Sequence, residues 1–489
     1  MPRGAAGVWG CGGANNGGMS VERESNNATA PTAALAPGGE GIDGRAAAER
    51  IASRRGGAMD ARVRSLVPGF DAPFFQAGLA GYSDAAMRII ARRHGCPFCV
   101  TEALLDRTMI AGGRGFAKAD LGELHENVPG GPEDHPLACQ IMGSDPSEMA
   151  AAALKAAEQG VRGDKYYRRL AYHGRLSPDV SAPIRLPGGE QLPPMEAHDP
   201  TEGLGDACGE GCEGEETCET LIDAVNAVEP EGTVVERGAR AWAGERFATI
   251  DVNLACPVKK IKSKARGGHW LAEPEGAIEI LEKVREAVPA EIPCTVKLRR
   301  SFDDTAEMVA NIHRILEACR GIGYAWATIH ARTVEQKYVG PSRWDLLRDL
   351  VRRHDAGGEG LPIFGSGDIW SAGEIFRMME YTGVVGAAVA RGCIGNPWIF
   401  RQARDLLAGR EGRPPTLEEQ RGVLEEHYRL LLAVNSGMRH GDEATGKMMR
   451  KFGIRFAAHH PDPERARLAF IGVSSSEDWR RVLNEHYAS

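Results

Sequence analysis

A (β/α)8 barrel followed by an all-helical C-terminal domain is the fold class this 489-residue chain predicts, and three observations lead to it. Short apolar runs that read as buried strands recur eight times between about residues 74 and 390, with helix-period segments among them. No G-x-G-x-x-G opens the chain, which disfavours a doubly wound sheet. Beyond about residue 415 only helical periodicity remains.

The chain begins with residues 1–65, rich in Gly, Ala and Asn and without a sustained period, which read as a disordered low-complexity tail; Met59 within it is a candidate start. "FFQAGL" near 74, "FCVTEAL" near 98 and "LACQIMG" near 137 are the first three strands. The helix "DPSEMAAAALKAAEQG" opens on an Asp-Pro cap signal and stops at Gly160. Residues 162–245, dense in Gly, Pro and acid, form an irregular insertion with one short helix expected in "ETCETLIDAVNAVE". "FATIDVNLA" near 247 is the fourth strand, and the helix "PEGAIEILEKVREAV" follows it. "CTVKLRR" near 294, "WATIHART" near 326, "PIFGSGD" near 362 and "GAAVARG" near 386 complete the set. The barrel thus covers 66–405 and the helical domain 406–489. A helix-to-strand connection lies on the N-terminal face of such a barrel, so the insertion is expected to hang there, away from the mouth.

No run of about 18 apolar residues suggests a transmembrane helix, and no apolar h-region suggests a signal peptide. Eleven scattered cysteines fit reduced thiols better than a disulfide framework. A cytoplasmic monomer is the expectation. The net charge of −8 is unevenly spread: 162–246 holds seventeen acidic against nine basic residues, whereas 401–489 holds fifteen basic against thirteen acidic. A locally basic RNA surface is compatible with that distribution.

In a (β/α)8 barrel the reactive groups sit at the C-terminal strand ends. Here Glu102, Gln140, Asn253 with Cys256, Lys297 with Arg299, His330 with Arg332, Gly365-Ser366-Gly367-Asp368 and Arg391-Gly392 fall at or near seven consecutive ends. One polar strand end is usually a helix cap; seven in succession mark a site. The glycines after strands seven and eight offer backbone N–H groups that cradle a phosphate, although tight turns use glycine too. Lys297 is suited to the N1/O2 edge of a reduced flavin, or else is neutralised by Glu102 across the mouth. Gln140 offers a donor and an acceptor to a flat heterocycle. With no dinucleotide motif, FMN fits better than FAD.

Taken together, "AGLAGYSDAAMR", "VTEALL", "PLACQIMGSDPSEMAAAA", "TIDVNLACPVKK", "RGGHWLAEP", "TVKLRRSFDD", "ATIHARTVEQKYVGPSRWD", "PIFGSGDIWSAGE" and "ARGCIGNPWIF" resemble the tRNA-dihydrouridine synthases over about 74–400. "MMRKFGIRFA" resembles that family's helical tRNA-binding domain more loosely. The chain departs from the family pattern at Gly78-Leu79, Ala255 and Ser366. The resemblance implies reduction of uridine in tRNA to 5,6-dihydrouridine with FMN as cofactor and NADPH as donor. It implies Cys256 as proton donor, flavin contacts from Gln140, Lys297 and His330, and a phosphate site from Gly367, Arg391 and Gly392; Gly78, Leu79, Ser366 and Asp368 beside them are expected to contact the cofactor too. Substrate contacts are expected from Glu102, Asn253, Lys259, Lys260, Arg299, Arg332, Arg450 and Lys451, with no metal. A small-molecule flavin barrel of dihydroorotate dehydrogenase type and a non-catalytic RNA-binding relative are the alternatives.

The chemistry gives Cys256 its reason. Flavin supplies a hydride to uracil C6 from one face, so C5 needs a proton from an acid on the other. A thiol, titrating ordinarily near ~8.5, is mostly protonated at neutral pH yet able to release its proton. A lone Cys is as often a small buried filler, but here Asn253 precedes it and a basic run follows. Lys259, Lys260, Lys262, Lys264 and Arg266 would meet RNA phosphates, or in part form a solvated face. Cys96-Pro-Phe-Cys99 precedes a strand instead of opening a helix, which speaks against a redox motif. Cys208, Cys212 and Cys218 lack a fourth ligand for a metal.

Overall fold

The computed structural model describes residues 39, 41–54, 58–110, 132–158, 167, 170–171, 184–185, 191–192, 246–257, 267–435 and 440–488. Eight parallel strands close on themselves: β1 (Phe74–Gln76), β2 (Cys99–Val100), β3 (Leu137–Met142), β4 (Thr249–Leu254), β5 (Cys294–Arg299), β6 (Trp326–His330), β7 (Ile363–Ser366) and β8 (Gly386–Val389). Each pairs with the next, and β8 pairs with β1. All eight coincide with the predicted apolar runs, so the chain is a (β/α)8 barrel.

The first helices, α1 (Gly44–Ala52) and all but the last residue of α2 (Ala61–Leu66), lie inside the stretch expected to be a disordered tail. Both open on an aspartate cap, Asp43 accepting from Arg45 N and Asp60 from Arg62 N. The buried face of α1 is Ala47, Ala48 and Ile51. Small residues let backbones approach: a Cβ on Gly44 would come within 2.4 Å of Gly373 O. An Ala/Gly-rich packed helix and a low-complexity tail have nearly the same composition, which is why the pattern misled. A start at Met59 would remove α1, and Met59 itself is buried.

From α2 the chain closes the barrel floor. Phe70 stacks on Phe98 (centroids 4.7 Å) and Phe364 (5.6 Å), with Phe75 and Trp326 edge-on. Met59, Val63 and Val67 cover them from α2 and its flanks. Emptying such a site by Phe→Ala costs roughly 3–5 kcal/mol. The floor makes the N-terminal end solid and leaves chemistry to the opposite end.

The outer layer is α3 (Ala85–Arg93), α4 (Pro146–Ala157), α5 (Pro274–Ala287), α6 (Ala306–Ile322), α7 (Trp344–His354), α8 (Ala372–Thr382) and α9 (Trp398–Leu407). The insertion leaves after α4 and returns at β4, but most of 162–245, with its expected helix and Cys208, Cys212 and Cys218, lies outside the described residues. Tyr167, Leu170 and Ala171 are nevertheless buried against the barrel, and Ile184–Arg185 pairs with Gln191–Leu192 as a small antiparallel hairpin.

Four helices end the chain: α10 (Leu417–Asn435), α11 (Gly441–Phe456), α12 (Pro463–Ile471) and α13 (Ser476–His486). They fall in one compact unit with the barrel, residues 35–489. Lys451 donates to Gly81 O and lies over the rings of Tyr82 and Phe452, fastening α11 to the loop after β1. No helix among the described residues is long and apolar enough to cross a membrane. All seven described cysteines are free; Cys96 and Cys99 have their sulfurs 3.8 Å apart, buried, after the C-terminal end of α3.

Candidate active site

Strand alternation decides which side chains reach the mouth. Every second residue of a barrel strand faces inward, so Asp251 and Asn253 of β4 share the interior with Thr295, Lys297 and Arg299 of β5. Register then sets neighbours: Asn253 lies beside Lys297, Arg299 beside His330, and His330 beside Ser366. These ends surround a pocket of about 1090 Å³, counting the part open to solvent.

All ten residues expected at a cofactor line that pocket: Gly78, Leu79, Gln140, Lys297, His330, Ser366, Gly367, Asp368, Arg391 and Gly392. Cys256, Asn253 and Arg299 line it as well. Glu102, Arg332, Arg450 and Lys451 do not. Arg332 is buried and uses its guanidinium on Gly340 O and on both oxygens of Asp368, bracing the loops after β6 and β7. Arg450 donates to Val473 O within the helical bundle, and Lys451 is the fastening described above. Lys259, Lys260 and the rest of the basic run lie outside the described residues.

The segment bearing Cys256 is held on three sides. Asn253 Oδ1 accepts from Ala255 N at 2.9 Å, Arg299 Nε donates to Ala255 O at 2.9 Å, and Gly268 N donates to Cys256 O at 3.0 Å. A Cβ on Gly267 would stand 2.9 Å from Cys256 Cβ, which explains the Gly-Gly of "RGGHW". Cys256 is half-buried, and it lines the pocket.

Positive charge dominates the electrostatics. Burial pulls the Lys297 ammonium down to about 8, with Arg299 adding to the shift and Asp251 and Cys256 opposing it. Burial likewise lowers Arg299 to about 10. His330 is pushed well below its ordinary value by burial and then by Arg299, Lys297, Arg332 and Arg391, so it is a neutral imidazole at physiological pH. Lys297 has no protein hydrogen bond among the described residues. The carboxylate acting on it is Asp251, not Glu102.

At the ends of β7 and β8 the backbone is exposed by necessity. Gly367 has φ of +117°, and a Cβ there would stand 2.4 Å from Ser342 Oγ, itself buried and without a hydrogen-bond partner among the described residues. A Cβ on Gly392 would stand 2.1 Å from Ile369 O. Arg391 lies over the rings of Tyr338 (4.6 Å) and Trp370 (5.1 Å). Asp368 is committed to Arg332 and to Ser342 N (2.8 Å), leaving Arg391, 3.7 Å away, able to serve an added anion. An unbonded lysine, a neutral histidine, two amide side chains and a glycine-lined cationic end fit a flat ring with an anionic tail.

Sequence reasoning missed Asp251, Thr295 and Tyr338. Asp251 could have been found by parity, two residues before Asn253 on the same face. Tyr338 could have been found in the quoted "EQKYVG", where it is exposed at the rim between Arg299 and Arg391.

The family model described as "Dihydrouridine synthase (Dus)" matches residues 75–163 and 233–457. A probable tRNA-dihydrouridine synthase of Treponema pallidum is 32% identical over 240 residues, 48% of this chain and 68% of that one. One of Mycobacterium tuberculosis is 36% identical over 211 residues, 42% of this chain and 51% of that one. The chain thus spans about half to two thirds of the length of these curated relatives. Among solved structures, the old yellow enzyme from Trypanosoma cruzi aligns with 68% of this chain and 87% of its own at a TM-score of 0.34 and 12% identity, too distant to bear on function.

Proposed function

The chain belongs to the dihydrouridine synthase family, and from that premise we propose that it reduces the C5=C6 bond of uridines in tRNA, with FMN as cofactor and NADPH as electron donor. The observation that carries this reading is the convergence of Cys256, Asn253 and all ten expected cofactor residues on one pocket. FMN, when bound, supplies the hydride that uracil C6 receives.

The remaining work falls to the chain. Lys297 offers a positive charge to the electron-rich edge of the ring, and its lack of a hydrogen-bond partner among the described residues supports that use. Neutral His330 can donate or accept without adding charge. Arg391 and the backbone at Gly367 and Gly392 are suited to the phosphate. Asn253 orients the substrate edge, and Cys256 holds the proton that goes to C5. Arg299, through Ala255 O, keeps that thiol in place.

The basic run 259–266 and the helical domain are the surfaces for tRNA phosphates in this reading. Mass spectrometry of tRNA from a strain lacking the gene tests it: a dihydrouridine site lost on deletion and regained with the wild-type chain is the expected result. An unchanged modification profile opposes it.

A further inference from the structure

Beneath the pocket, a carboxylate takes no part in lining it. Asp251 is buried and borders a smaller cavity with Thr295, Thr328 and the floor aromatics Phe75, Phe98 and Trp326. Its Oδ1 accepts from Thr295 Oγ1 at 2.6 Å and its Oδ2 from Gln140 Nε2 at 2.7 Å. Gln140 Oε1 then accepts from Asn253 Nδ2 at 2.7 Å, and Asn253 Oδ1 from Ala255 N at 2.9 Å. We propose that Asp251 is a positioning residue: it sets the direction of the Gln140–Asn253 amide relay and, through it, the placement of the segment that carries Cys256.

The direction is fixed from both ends. An amide can be turned end for end at little cost unless its partners forbid it. At one end of this relay a carboxylate presents only acceptors to Gln140. At the other, the Ala255 N–H can only donate. Only one setting of the two amides satisfies both. Reverse Gln140, and its oxygen faces the Asp251 carboxylate; reverse Asn253 as well, and its amino group faces the Ala255 N–H. Protonation of Asp251 would not free the relay, because the acid could donate to Thr295 Oγ1 and still accept from Gln140.

The relay also dictates what the pocket sees. With one N–H of Gln140 and one of Asn253 spent inside the chain, each amide keeps one donor and one acceptor site in a fixed order. A flat heterocycle reads that order as hydrogen bonds or as clashes. An uncommitted pair of amides would offer a mixture of both, and misplacement by ~1 Å costs on the order of 10²-fold in rate.

Two substitutions separate direction from charge. Asp251→Leu keeps the branched shape, at somewhat larger volume, and removes both acceptors. Asp251→Asn keeps an acceptor for Gln140, while the Thr295 hydroxyl turns to accept from the new amide. In FMN-loaded protein we expect Asp251→Leu to speed hydrogen exchange in the Leu254–Cys256 peptide. It should also change Cys256 alkylation by iodoacetamide several-fold and lower kcat on tRNA by roughly 10²-fold with little change in KM. Asp251→Asn should restore exchange, alkylation and kcat most of the way to the parent. If Asp251→Leu does not fold, Asp251→Val, β-branched and suited to a strand, carries the same expectations. Parental exchange and alkylation in the apolar variant overturn the proposal, as does an Asp251→Asn variant no better than it. The kinetic arm alone rests on the tRNA-reducing reading. If the parent does not act on tRNA, that reading fails while exchange and alkylation still decide the role of Asp251.

Discussion

Arg332 grips both carboxylate oxygens of Asp368, at 2.7 and 2.8 Å, with Arg332 buried and Asp368 held at a φ of +53°. The pair joins the loops after β6 and β7 and takes up the one acidic group closest to Arg391. Removing one partner of such a pair leaves the other charge buried and unpaired. Asp368→Ala should therefore destabilise the protein by about 3 kcal/mol, read from denaturant unfolding. Asp368→Asn should cost less, because Asn tolerates positive φ and keeps an acceptor. Equal losses in the two variants would show that neither the retained acceptor nor the backbone conformation contributes here.

Cys256→Ala should leave FMN bound and its reduction by NADPH intact, while dihydrouridine formation falls roughly 10²–10⁴-fold, the usual range of general-acid catalysis. Separate stopped-flow measurement of the two half-reactions gives this directly. Turnover of tRNA at the parental rate would remove the thiol from its role.

Lys297 should make cofactor affinity depend on pH. Its folded-state value, lowered from 10.5 to about 8, means that the free protein loses this proton as pH rises through about 8. An anionic ligand binds the protonated form and keeps its proton, so affinity falls above that point. FMN binding followed by fluorescence should weaken by up to about tenfold per pH unit between pH 8 and 9.5. Lys297→Met should bind more weakly at neutral pH and show no such fall. In the apo protein the sign is opposite: the unfolded chain holds more protons between about 8 and 10.5, so Lys297's contribution makes stability rise across that window.

Alternation made the barrel mouth legible. Period-two runs placed Asn253, Lys297 and His330 at strand ends, and all three meet in one pocket. The same alternation held Asp251, yet an acid inside an apolar strand looks like noise until Gln140, its register partner on the neighbouring β3, is seen to donate to it. Arg332 shows the converse: a strand-end arginine in sequence cannot reveal that a loop aspartate 36 residues later pairs with it. α1 was illegible because packing through Ala47, Ala48 and Gly44 leaves no periodic mark of large apolar residues.

The acidic insertion should be dispensable. The chain leaves at the end of α4 and returns at the start of β4, both on the N-terminal side of the barrel. Any deletion must spare Tyr167, Leu170 and Ala171, which are buried. Replacing residues 174–243 with a short Gly/Ser linker should leave FMN content and tRNA reduction nearly unchanged. Loss of activity in a folded, yellow deletion variant would give the insertion a part in the reaction.

The most direct measurement incubates the purified, FMN-loaded protein with NADPH and unmodified tRNA, then follows nucleosides by mass spectrometry. The expected result is a uridine gaining two hydrogens in a reaction that needs both NADPH and Cys256. NADPH oxidation by a flavin-loaded protein that leaves every uridine unreduced, across tRNAs of several sequences, would contradict it.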